Sequence, residues 1–221
     1  MKLLRPGVKN YITITMKDSP QAAARRTGRP RSFDREVALN AAMYLFWEHG
    51  FESTSIADLT RAMGITPPSL YTAFGDKRGL FRAAVYHYLG GVSPIIDNIN
   101  SAATAREAAH ELMRSAAVGG TGYHTPAGCL LASSIVSSSA EAADIRRELA
   151  AIRQKIETAL KLRIERDIAE GTLPPNSDAE MLAGLVFAVV QGMSTLAKDG
   201  AGRRKLLRIV EGAMAAWPIT E

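Results

Sequence analysis

The side chains best placed to do chemistry lie between Ser53 and Phe81. Thr66, Pro67, Pro68, Ser69, Tyr71 and Thr72 follow a Gly64-Ile65 turn and open a short helix. In a helix-turn-helix the second helix enters the major groove, and its N-terminal residues meet the base edges. None of these six is Arg, Asn or Gln, the side chains that grip a base with two hydrogen bonds. Discrimination then falls to hydroxyls, to apolar contacts with thymine methyls and to DNA shape. Ser55, at the start of the preceding helix, joins the DNA-facing set.

Lys77 carries a separate electrostatic signal. It sits in the first turn of a helix, where the macrodipole disfavours a cation and a bound phosphate would offset that cost. Ahead of the first helix, Arg25, Arg26, Arg29 and Arg31 form a basic arm. Gly-Arg-Pro-Arg at 28–31 reads either as an arm that enters the minor groove or as a solvated tail drawn to phosphates. Residues 1–90 hold 13 Lys and Arg against 7 Asp and Glu, whereas the remainder holds 14 against 15. The positive end therefore coincides with the helix-turn-helix, as polyanion binding requires.

Other chemistries find no support. His49, His87, His110 and His124 lack metal-ligand spacing, and neither a phosphate loop nor a nucleophile elbow occurs. No enzyme activity, cofactor or metal is expected. The one cysteine, Cys129, excludes a disulfide framework within the chain. In its GCLLA run it reads as a small buried hydrophobe before it reads as a redox sensor. No apolar run approaches the ~18 residues of a bilayer span, and residues 1–20 lack a secretory apolar core. A cytoplasmic protein without membrane contact is expected, and Met16 is an alternative start to Met1.

The elements that would position these groups are all helical. Asp34 caps a first helix running to about His49, with Ala38, Ala41, Ala42, Leu45 and Phe46 on its apolar face and Gly50 ending it. Ser55 and Asp58 form a capping box for the second helix, and Gly64 turns the chain. The third helix is expected to begin regularly only at Pro68, because a residue before proline avoids the α region. Asp76 caps a fourth helix from Lys77 to Leu89. Five more helices are predicted at about 103–118, 128–139, 142–170, 178–198 and 201–216, the fourth of them capped by Ser177 with Glu180.

Residues 34–89 resemble the DNA-binding domain of the TetR/AcrR family of transcriptional regulators. The resemblance rests on the AAMYLFWEHGFESTSIADL run, the MGITPPSLYTAFGDK segment and the LF that follows. It implies an all-α protein: a flexible basic arm at 1–31, a three-helix DNA-binding domain with the helix-turn-helix at 32–90, and a helical ligand-binding and dimerisation domain at 91–221. It also implies a homodimer on a pseudo-palindromic double-stranded operator, usually a repressor released by a small-molecule effector. A constitutive regulator without an effector is the alternative. By the same resemblance, Tyr71 and Lys77 match phosphate-contacting positions, and Thr66 to Thr72 match the recognition helix. Arg78-Gly79 departs from the family pattern, and the glycine weakens the helix by about 1 kcal/mol.

Two further sites follow from that resemblance. Polar residues among apolar helices make His110, Met113, Tyr123, His124, Cys129, Ser133, Ser134 and Ser137 the candidate effector lining. Only three aromatics lie beyond residue 90, which favours a small or aliphatic effector over a planar cation. The last two helices offer a four-helix dimer interface through Leu185, Val189, Gly192, Met193, Leu207, Val210, Met214 and Trp217. An ordinary intrachain core accounts for the same apolar pattern.

Overall fold

The computed structural model describes residues 33–133 and 140–219. The basic arm with Arg29 and Arg31, and the candidates Ser134 and Ser137, lie outside the described residues. Among the described residues there are ten helices and no strand.

Helix α1 (Arg35–Ser53) starts where the Asp34 carboxylate accepts the Glu36 and Val37 N–H groups at 3.0 and 3.2 Å. Its buried face is turned slightly from the expected one, toward Leu39, Met43, Phe46 and Trp47. Gly50 leaves helical geometry with φ 80°, and one more turn brings Phe51 into the core. The chain's aromatics are concentrated here for a structural reason. Phe46 and Phe51 meet Phe81 of α4 (Lys77–Leu89) edge-on at 5.0 and 5.2 Å, and Trp47 meets Tyr88 at 4.8 Å. Such pairs hold α4 against α1 by burial and edge-to-face attraction.

Helices α2 (Ile56–Met63) and α3 (Pro67–Phe74) lie between them in sequence. Regular helix begins at Pro67, one residue earlier than expected. Both prolines fit the first turn, where a missing N–H breaks no intrahelical bond.

Beyond α4 come α5 (Ser93–Ser101), α6 (Ala105–Gly119), α7 (Leu130–Ser133), α8 (Ala140–Ala169), α9 (Ala179–Lys198) and α10 (Arg203–Ala215). Helix α5 was not expected: no side chain caps it, and within it only Ile99 is buried. Asp178, not Ser177, caps α9 by accepting the Met181 N–H at 2.9 Å. The Ser177 hydroxyl is instead buried without a partner. Arg163 and Asp167 form a buried ion pair, their side chains 3% and 2% exposed. Arg163 donates to the Ala102 and Ala103 carbonyls, and Asp167 accepts the Ala105 N–H at 2.6 Å. Together they fasten α8 to the start of α6.

The expected dimer set divides. Leu185, Val189, Gly192 and Leu207 reach the surface, with Leu185 42% exposed. Met193, Val210, Met214 and Trp217 are buried within the chain itself. The correction has a packing cause: α10 lies on both α6 and α9, and its apolar stripe fills that contact. Helix α9 also has the length and apolarity to cross a bilayer, which a reading of uninterrupted runs overlooked. It packs against α6, α8 and α10.

Candidate nucleic-acid interface

Local hydrogen bonds build the helix-turn-helix. The Ser55 hydroxyl accepts the Asp58 N–H at 3.1 Å, and the Asp58 carboxylate accepts the Ser55 N–H in return. The Ser55 hydroxyl and N–H, followed by Arg61, hold the Asp58 carboxyl below its usual range. Gly64 takes the left-handed conformation, φ 65°, that a side chain would strain. Its N–H and that of Ile65 return to carbonyls of the last turn of α2. Ile65 packs half-buried against the core, as a turn residue between two helices should.

Helix α3 buries Leu70 and turns Thr66, Pro67, Pro68, Tyr71 and Thr72 outward; Ser69 is half-buried. Tyr71 is 49% exposed. The structure therefore brings the predicted reading residues onto one outward surface. Arg35, from α1, lies over the Phe74 ring at 4.9 Å and steadies the end of α3.

Lys77 is engaged more closely than its position in sequence suggested. Its Nζ lies 4.6 Å from the centre of the Phe51 ring and donates to the Glu52 carbonyl oxygen at 3.3 Å. A cation at the carboxyl end of α1 gains from that helix's dipole what it loses at the start of α4. Gly79 also has a role that the sequence reading missed. A Cβ there would stand 2.0 Å from the Phe74 carbonyl oxygen, so only glycine lets α4 leave α3 this tightly.

Among the described residues, helix α4 is tied to α8 by two ion pairs. Arg78 meets Asp144 at 2.9 Å, and Arg82 donates to Glu148 at 2.6 Å. The Arg82 hydrogen bond holds the Glu148 carboxyl below its ordinary range. Beside these pairs a groove of about 260 Å³ runs between Phe81, Val85, Tyr86, Ile145, Leu149 and Ile152.

The candidate effector residues are spread out. Met113 is fully buried, Tyr123 is 93% exposed, and His124 is exposed. His110 Nε2 lies 3.2 Å from Glu211 on α10. Ser133 ends α7. Cys129 is half-buried, and its N–H donates to the Ser194 hydroxyl at 2.8 Å. Its thiol lies beside Tyr88; burial first, and Cys129 next, push that phenol well above its usual range. Arg153 donates to the Leu131 carbonyl at 3.0 Å, and burial lowers its pKa. Tyr88 and Arg153, each of which reads in sequence as part of an ordinary helix face, thus both meet the Cys129–Leu131 segment.

A capped helix, a left-handed glycine turn and an exposed second helix define a DNA-binding protein of the helix-turn-helix class. Residues 38–84 match the model for bacterial regulatory proteins of the TetR family, and 105–210 match a tetracyclin repressor-like C-terminal domain. The chain is 35% identical over 210 residues to the HTH-type transcriptional repressor ComR of Escherichia coli K12, covering 91% of this chain and 97% of ComR. It is 38% identical over 133 residues to the repressor BdcR of the same organism, covering 60% of this chain and 65% of BdcR. A cysteine mutant of the TetR-family regulator CifR, solved with a 26-base-pair operator duplex, superposes with TM-score 0.80 at 43% identity, covering 86% of this chain and all of that one. The chain belongs to the TetR family of transcriptional regulators.

Proposed function

We propose that this protein is a repressor that grips a pseudo-palindromic operator as a homodimer and releases it when a small molecule binds the C-terminal half. ComR and BdcR are named as repressors, and CifR was solved on operator DNA. In this reading residues 32–90 bind DNA, and 91–221 sense and dimerise. Thr66 to Thr72 face the groove, with Ser55, Tyr71 and Lys77 at its phosphates. The protein works in the cytoplasm and catalyses nothing.

The observation that carries the reading is the position of α4. It leaves the recognition helix at Gly79, is tied to α8 by Arg78 and Arg82, and brings Tyr88 beside Cys129. A ligand lodged near Cys129, Tyr88 and Arg153 would favour one placement of α4. Two recognition helices would then lose register with successive major grooves ~34 Å apart. The scatter of Met113, Tyr123 and His124 favours the second reading, a constitutive regulator.

Fluorescence anisotropy on a selected operator tests both. Tyr71→Ala and Lys77→Ala should each weaken binding, and unchanged affinity in both would refute the contacts. A metabolite panel should contain a compound that lowers operator affinity in a saturable way. A panel without effect would leave the constitutive reading standing.

A further inference from the structure

Helix α3 is unusually poor in hydrogen-bond donors at its outward end. Pro67 and Pro68 have no N–H. The next, Ser69 N–H, donates to the Thr66 hydroxyl at 3.4 Å, and the Leu70 N–H is bonded to the Thr66 carbonyl at 3.1 Å. From Pro67 to Leu70 the main chain therefore has no spare donor for a phosphate or a base. Its hydroxyls are drawn inward as well. Thr72 Oγ1 donates to the Pro68 carbonyl at 2.9 Å, one turn back. Thr66 and Ser69 share a hydroxyl hydrogen bond of 2.9 Å, which uses one of their two hydrogens.

Apart from the Tyr71 phenol and the one hydroxyl hydrogen left to Thr66 and Ser69, what remains exposed is hydrocarbon. Pro67 and Pro68 are both exposed, and Thr72, with its donor turned to Pro68, keeps a methyl group for the groove. A major groove offers one apolar feature to such a surface, the thymine 5-methyl group. We propose that Pro67, Pro68 and the Thr72 methyl read thymine methyls, so that operator specificity rests on apolar contact rather than on donors to purine N7. This rests on α3 being the helix that enters the groove.

The test uses the full-length protein and a duplex enriched from random DNA. Each thymine of a half-site is replaced in turn by deoxyuridine, which removes the methyl and keeps the pairing. At one or more thymines affinity should fall about fourfold, the weight of one buried methyl-sized group. Replacing purines by their 7-deaza analogues should leave affinity unchanged. Thr72→Val, which keeps the methyl, should bind as the parent does. Thr72→Ser, which keeps the hydroxyl, should bind more weakly and lose the uracil penalty at its own thymine. Circular dichroism establishes that both variants fold. Uracil substitutions without effect, or equal losses in Thr72→Val and Thr72→Ser, on a duplex the parent binds saturably, would overturn the proposal and leave DNA binding intact. Failure to enrich any sequence would instead remove the DNA-reading assignment of α3, and this inference with it.

Discussion

A methyl group added at Gly79 would lie 2.0 Å from the Phe74 carbonyl oxygen. That neighbour is backbone, so relief requires α3 and α4 to separate. Overpacking of this kind costs about 1–3 kcal/mol. The opposing gain in helix propensity from alanine is only ~1 kcal/mol. Gly79→Ala should therefore lower the thermal midpoint, although a count of helix formers says the reverse. An unchanged or raised midpoint in a calorimetric scan would refute the steric account. Lys77 teaches a similar lesson. Its place in the first turn of α4 was legible, but the Phe51 ring and Glu52 carbonyl that hold it lie 25 residues or so away in sequence.

At the scale of the element, legibility followed locality. The Ser55–Asp58 box and the Gly64 turn were readable because every participant lies within a few residues. Helix α5 was not, since it has no side-chain cap and little apolar periodicity. The Ser177–Glu180 spacing suggested one cap, but the chain's path hands that role to the adjacent Asp178. Arg163 and Asp167 lie four apart on a long polar helix, a spacing equally suited to a solvated surface pair. Burial changes their meaning, because each also serves the main chain at the start of α6. Removing one partner leaves a buried charge unpaired, which costs about 3–5 kcal/mol. Asp167→Ala should thus destabilise strongly in urea titrations, and adding Arg163→Met should recover part of the loss. Additive losses in the double variant would refute a coupled pair.

For the molecule as a whole, the question is which apolar surface the chain keeps for itself. Val210 and Met214 on α10, and Trp217 just beyond its end, could have served a core or a partner, and sequence patterning cannot separate the two. The fold assigns them to its own core. That leaves Met181, Leu185, Ala188 and Gly192, spaced along α9 on its exposed face, as the stripe available to a second copy. A Cβ added at Gly192 would point into open space, with nothing within 4 Å, so a partner helix can approach this backbone closely. A carboxylate placed at Leu185 would be buried in such an interface without a partner. Leu185→Glu should therefore sediment as a monomer with a native circular dichroism spectrum. Operator affinity should fall about a hundredfold or more, because two half-sites are then no longer bound by one linked pair of helices. A variant that stays dimeric would move the interface away from this stripe. One that is monomeric yet binds the operator undiminished would show that pairing is not what the operator reads.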